Sequence, residues 1–164
     1  ILGYSKEKAA STMSNLAYLR PICALCAGII ADRISATKNS IYIFMILLTS
    51  FFILSIGSIT ISLNTLIIIN IITSMISVFA LRGIYFCYLK ETNVPSSITG
   101  LSVGIISLVG FFPDIYIGPI FGYFLDNYDI EKAFNLCFIF LLIISFIGFI
   151  SSVKLHLKKK NKLT

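Results

Sequence analysis

Three stretches of this 164-residue chain, 39–81, 98–113 and 133–153, contain no charged residue at all. About 20 consecutive apolar residues suffice to span the hydrocarbon core of a bilayer. A soluble protein of this size could not hide such surface. The composition agrees: only 12% of residues are charged, against about a quarter in soluble domains. Inside a bilayer each backbone polar group must be satisfied within its own segment, which leaves helices as the economical solution. The expected fold class is therefore all-α, a polytopic transmembrane helix bundle.

The apolar runs and the polar breaks between them predict five membrane helices, at about 10–31, 41–59, 65–89, 97–125 and 133–153, with a basic tail at 154–164. The connections at 32–40, 60–64, 90–96 and 126–132 are short, so successive helices should be antiparallel neighbours in one membrane domain. Ser96 and Ser97, after Pro95, are expected to cap the fourth helix. The chain opens at Ile1 without a methionine or a cleavable leader pattern and reads as part of a longer protein.

Lysine and arginine set the orientation. With the 32–40 loop in the cytoplasm, that side holds Arg33, Lys38, Lys90, Lys154, Lys158, Lys159, Lys160 and Lys162, and the other holds Lys6, Lys8 and Lys132. The C-terminus is then cytoplasmic. The net charge of +6 reflects this tail and suits anionic lipid headgroups; it is no nucleic-acid signal. Cys23, Cys26, Cys87 and Cys137 all fall in apolar segments and read as small packing residues. Cys23 and Cys26 have no further ligands nearby, so neither a metal nor any other cofactor is expected.

The second and fifth spans carry neither charge nor proline and read as lipid-facing. The other three differ. The first carries Arg20-Pro21; the third carries Arg82 and a polar stripe of Asn70, Thr73, Ser74, Ser77 and Tyr85; the fourth carries Gly110, Pro113-Asp114, Gly118-Pro119 and Gly122. A charge at membrane depth costs about 2.5–3.5 kcal/mol on insertion scales. Proline and glycine free backbone groups that protein or cavity water must satisfy. These three helices are expected to line an interior. Arg20 lies twelve residues before Asp32, and Asp114 twelve before Asp126, so each sits about 18 Å from its helix end, near the midplane. Both helices place proline beside the charge and end in glycine, three residues, aspartate: Gly28 to Asp32 and Gly122 to Asp126. An inverted-topology repeat would produce that pattern.

The segment from Gly28 through Asp32-Arg33 to Lys38 resembles the loop signature of the major facilitator superfamily, G-x-x-x-D-R-x-x-x-x-[KR]. Leu19-Arg20-Pro21 suits helix eight of such a transporter. The run from Arg82-Gly83 and Tyr85 through Pro95, Thr99-Gly100, Gly104, Pro113-Asp114 and Gly118-Pro119 resembles helices ten and eleven of a bacterial branch. The family loop often continues with glycine and more basic residues, where this chain has Ser35, Ala36 and Thr37. The resemblance implies a rocker-switch permease of which this chain supplies helices eight to twelve, with helices one to seven elsewhere in the protein. It implies an integral protein of a bacterial plasma (inner) membrane. It also implies that Asp32 closes the cytoplasmic side against the other half, its partner lying outside this chain.

The leading expectation is a secondary carrier moving a small organic solute by alternating access, with proton or exchange coupling. Fixed charges at depth are Arg20 and Arg82 against Asp114, which tilts the solute toward an organic anion. Arg20 and Asp114 either bind substrate and carry a coupling proton or form a structural ion pair. Arg82 either guides an anion or snorkels to the interface, the second being favoured. Tyr85 either bonds substrate or sits at the interface. Pro21, Gly110, Pro113, Gly118, Pro119 and Gly122 supply hinges or close helix contacts. The rival reading is a non-transporting scaffold or sensor bundle. An intramembrane enzyme would need paired aspartates, a Ser–His pair or a histidine metal cluster at depth; the spans offer Asp114 and no histidine. The expected partners are a small-molecule substrate, the lipid bilayer and the missing N-terminal helices, with no nucleic acid.

Overall fold

The computed structural model describes residues 5–60, 64–92 and 94–161. Its elements in order are α1 (Lys6–Ala17), α2 (Leu19–Ile34), α3 (Ala36–Thr60), α4 (Asn64–Ile84), α5 (Cys87–Glu91), a 3₁₀ turn (Ser96–Ile98), α6 (Thr99–Asn127) and α7 (Ile130–Lys160). There are no strands among the described residues. Five helical segments are long and apolar enough to cross a membrane: Ala10–Ile34, Ala36–Ile56, Thr65–Ile84, Ser96–Asn127 and Ile130–Lys159. The chain is a polytopic α-helical membrane protein. Of the expected loop at 60–64, residues 61–63 lie outside the described residues, as do residues 162–164 of the basic tail.

Local sequence explains where the helices break. The first span is interrupted at Tyr18, because Pro21 has no N–H to give the carbonyl of Ala17 four residues earlier. The third span stops at Ile84 and restarts as the short α5, so it is not one helix to residue 89. α6, by contrast, runs unbroken through Pro113 and Pro119; each proline still leaves a carbonyl, of Val109 and of Ile115, without its helical donor. Ser96 and Ser97 do not cap α6. They form the 3₁₀ turn, no side chain caps it, and the Thr99 hydroxyl donates to the Pro95 carbonyl instead (3.1 Å).

The expected loop 32–40 is mostly helix. α2 and α3 are separated by Ser35 alone, whose φ of 121° makes the turn. The hydroxyl and amide residues that suggested a loop are buried in the first turns of α3. Asn39 Nδ2 donates to the Ala27 carbonyl (3.2 Å), the Tyr88 hydroxyl to Ser40 Oγ (2.6 Å), and Thr37 faces His156 (3.4 Å). Likewise the basic tail is helical as far as Lys160.

The core is centred on α3: one face of the second span packs inward, while Tyr42, Met45, Ile46, Phe52 and Ile53 on the rest of its surface stay exposed. Ala36, Ser40, Ile43, Leu47, Ser50 and Leu54, all buried, alternate at four- and three-residue spacing along one face, the period of shallow-angle helix packing. That face lies against α7, where Ala133 and Cys137 are buried, and against α4. α2 lies along α4, and the Gly83 Cα meets the Ala24 backbone so closely that a Cβ there would stand 2.5 Å from the Ala24 carbonyl oxygen. α6 is the outlier. None of its residues is buried, and it touches mainly α7, with Phe121 edge-on to Phe140 (6.2 Å between centroids).

Candidate functional site

Two charges of the apolar spans meet across α4 and α6. Arg82 Nη2 donates to Asp114 Oδ1 at 2.6 Å, while the Arg82 guanidinium carbon lies 5.4 Å from the centre of the Phe111 ring. Arg82, in the last turn of α4, turns to this counter-ion, with 17% of its side chain exposed against 53% for Asp114. A buried lone cation would be costly, and a short hydrogen-bonded pair removes most of that cost. The pairing also corrects any direct Arg20–Asp114 ion pair, since Asp114 is held by Arg82.

One donor in this group is left over. Arg82 Nη1 is buried and has no hydrogen-bond partner. Such an orphan costs about 1–3 kcal/mol, more when charged. Tyr85, one turn further along, lies on Gly110 of α6, where a Cβ would stand 2.8 Å from its Cε2. Gly110 is therefore a close-contact glycine. Gly28, Gly118 and Gly122 have open space where a Cβ would be, so close packing does not account for them.

Arg20 is exposed on α2 and lies over the Phe79 ring, 5.5 Å from its centre. It has no carboxylate partner among the described residues. Phe79 and Arg82 are three residues apart on α4 and so share a face, about 4.5 Å apart along the axis. α4 thus brings Arg20 and the Arg82–Asp114 pair into one neighbourhood, with Phe79, Phe111 and Tyr85 between and around them. The polar stripe of α4 goes elsewhere. Ser50 of α3 bonds Ser74 (2.6 Å) and the Asn70 side chain, and Asn70 Nδ2 donates back to the Ser50 carbonyl (2.9 Å). Thr73 and Ser77 bond carbonyls of their own helix. Asn70 and Ser74 thus join α4 to α3.

The loop-motif residues form a second cluster, at the end of the bundle where α2 leaves and α3 begins. Asp32 meets a cation of this chain: Lys90 Nζ lies 3.2 Å from its Oδ1, both side chains exposed. Arg33 and Lys38 are exposed; the Lys38 amide donates to Ser35 Oγ (3.4 Å). The residue that organises this end is Glu91, unnoticed in the sequence. Its carboxylate accepts the Ala36 N–H at the start of α3 and pairs with Lys159 of α7 (3.2 Å). A carboxylate at a helix N-terminus is favoured by the helix dipole. A signal was present, because Glu91 is the one acidic residue anywhere in 33–113. Beside it, the Cys87 thiol is raised above its usual range by burial first and by the Asp32 carboxylate second, with Lys90 opposing.

Among the described residues no three His, Cys, Asp or Glu side chains converge to hold a metal, and all four cysteines are free thiols. Within the spans, the arrangement groups the cations Arg20 and Arg82, the Asp114 carboxylate and the Phe79 and Phe111 rings.

A 57-residue segment of the chain is 39% identical to the inner membrane protein YqcE of Escherichia coli (strain K12). The match covers 35% of this chain and 13% of that protein, so it reports on a small part of the relative. No family model and no solved structure matches the chain.

Proposed function

We propose that the chain is the C-terminal part of a major-facilitator-type secondary carrier that moves a small organic solute, an organic anion by its fixed charge, across a bacterial inner membrane with its C-terminus in the cytoplasm. The carrying observation is the Arg82–Asp114 pair (2.6 Å), with the exposed Arg20 beside it. Charged groups at membrane depth persist where they face protein or water and mark solute or proton paths. Arg20 and Asp114 stand on α2 and α6, the least buried spans of the chain. That suits faces which meet the other half of a carrier across a central cavity. The Gly28–Lys38 segment resembles the family's loop signature, and the relative in Escherichia coli carries the name of an inner membrane protein. The eight-to-three lysine and arginine bias supports the orientation.

The test is solute uptake into proteoliposomes containing the full-length gene product. Arg20→Ala and Asp114→Asn are expected to abolish flux while the protein still inserts and purifies as a monodisperse species. Normal uptake by either variant removes that residue from the site. Absence of any flux with a broad solute panel favours the scaffold reading.

A further inference from the structure

On α7 one exposed apolar face runs directly into charge. Ile143, Ile147 and Ile150 are exposed, and Lys154, Leu157 and Lys158 continue exposed beyond them. Steps of three and four residues keep all six on one side of the helix. The bundle lies on the other side. Ser145 and Ser152 are buried there, His156 faces Thr37 (3.4 Å), and Lys159 pairs with Glu91 (3.2 Å). The carboxylates at this end are already held, Asp32 by Lys90 and Glu91 by Lys159. Lys154 and Lys158 have no carboxylate partner among the described residues.

Length and charge together decide what fits this face. From Ile143 to Lys154 is eleven residues, about 16 Å along the axis. That is roughly half of a hydrocarbon core about 30 Å thick. The isoleucines therefore match the acyl chains of one leaflet, and Lys154 stands where that leaflet's headgroups begin. Lys158 lies one turn further, about 6 Å along the axis, and both lysine stems are long enough to carry their ammonium groups to a phosphate between them. A phosphodiester with no cation of its own answers both charges. A choline headgroup brings a cation that the lysines repel. A free phosphate leaves the isoleucines uncovered. We propose that the outer face of α7 binds one anionic phospholipid, with an acyl chain along Ile143, Ile147 and Ile150 and its phosphodiester between Lys154 and Lys158. The lysines of this end then divide their work: Lys159 holds α7 to Glu91, and Lys154 and Lys158 hold lipid.

This site stands apart from the carrier reading, and its test needs no flux. The reporter is Ile147→Trp in the full-length protein, reconstituted in vesicles of phosphatidylcholine and phosphatidylglycerol. Bromine is placed on the acyl chains of one lipid or of the other, and the parent protein supplies the background. Bromine quenches indole fluorescence at contact, so the ratio of the two quenching constants reads headgroup preference at this face. Phosphatidylglycerol should be preferred, by about fivefold for each lysine and roughly thirtyfold for the two together. Adding K154Q/K158Q should remove that factor, and the charge-keeping K154R/K158R should retain it. The pair E91Q/K159Q deletes one cation and one anion, leaves the net charge unchanged, and should leave the preference within about twofold. Equal quenching by the two lipids in the reporter protein overturns the proposal. So does a preference that survives K154Q/K158Q, which assigns it to the diffuse charge of the tail, or one lost in E91Q/K159Q, which moves the anchor to Lys159. Absence of quenching by either lipid overturns it as well, because protein then covers the face.

Discussion

The close crossing of α2 and α4 gives the sharpest test of the fold. A Cβ added to Gly83 would lie 2.5, 2.7 and 3.0 Å from the carbonyl oxygen, Cα and carbonyl carbon of Ala24. Ordinary carbon contacts are about 3.5–4.0 Å, so the helices must part by roughly 1 Å. Overpacking of this kind costs about 1–3 kcal/mol. The upper half of that range applies, because the obstructing atoms are helix backbone and cannot rotate away. Against it stands the gain from replacing a helical glycine, about 0.5–1 kcal/mol. Gly83→Ala should therefore be destabilising by about 1–2 kcal/mol. Gly28→Ala is the internal control. It sits in α2 with nothing within 4 Å of the added methyl, so only the favourable part remains, about 0.5–1 kcal/mol of stabilisation. The difference between the two variants isolates the clash, at about 2–3 kcal/mol. SDS-induced unfolding followed by far-UV circular dichroism, in one detergent for all three proteins, measures it. Equal stability of the two variants to within about 0.5 kcal/mol would mean that α2 and α4 do not cross at Ala24 and Gly83, and with that contact the placing of Arg20 beside the α4 face would go.

Ser50→Ala removes the hydroxyl shared by Ser74 and Asn70 and is expected to lower stability by about 0.6–1.7 kcal/mol, the range for interhelical hydrogen bonds in membrane proteins; the same SDS titration reads it, and no loss would return the α4 stripe to a cavity-lining role. Glu91→Gln weakens both the α3 N-terminal contact and the Lys159 pair, a loss of about 0.3–1 kcal/mol for the helix-dipole part. It should speed tryptic cleavage after Lys158 and Lys159; an unchanged digestion rate contradicts the tie between α5 and α7. Cys87 lies beyond the span Thr65–Ile84, and its raised thiol pKa means little thiolate at neutral pH. Maleimide labelling in a variant keeping Cys87 alone should be slow at neutral pH and accelerate as pH rises past the usual thiol range. Asp32→Asn removes a raising neighbour and should quicken labelling at fixed pH, whereas a slower rate would invert the assigned sign.

The kind of fold was legible because transfer into hydrocarbon is a property of each segment by itself. The runs at 39–81 and 133–153 need no neighbour to be read as spans. What lies beside a span is a property of pairs, and there the reading failed in identifiable ways. Residues 41–59 of α3 have no charge, so hydropathy sends them to lipid, yet the four- and three-residue spacing of Ala36, Ser40, Ile43, Leu47, Ser50 and Leu54 makes this helix the packing centre. Thr37, Asn39 and Ser40 suggested a loop because their side chains can compete for backbone groups; here those groups find partners on α2, α5 and α7 instead. The stripe from Asn70 to Ser77 is polar for the sake of Ser50 and of its own helix. Glu91 escaped notice because its partners, Ala36 and Lys159, lie 55 and 68 residues away in the chain. The charges at depth were found, since isolated charges in apolar runs are conspicuous. Which one meets Asp114 depends on helix order and rotation, and that information is absent from spacing along one helix.

The attachment of α6 follows from the same physics. The other spans hold together by close side-chain and backbone contact: Gly83 on Ala24, Gly148 against Phe44, and the buried face of α3. Apart from its packing on α7, α6 meets α4 through Arg82–Asp114, Phe111 over the guanidinium, and Tyr85 on Gly110. Van der Waals packing is indifferent to pH and to small solutes, whereas an ion pair is not. Neutralising Asp114 removes the strongest of these three contacts and leaves an aromatic ring on a glycine and a cation beside another ring. The two prolines flanking this region, Pro113 and Pro119, withdraw two helical hydrogen bonds from the same stretch, so α6 is easiest to bend where its tether is chemically controlled. If Asp114 governs the position of α6, then Asp114→Asn should raise hydrogen exchange of amides around 105–115 and leave 41–54 of α3 unchanged. Equal protection in both segments would show that the helix is held by its packing on α7, with the ion pair a passenger.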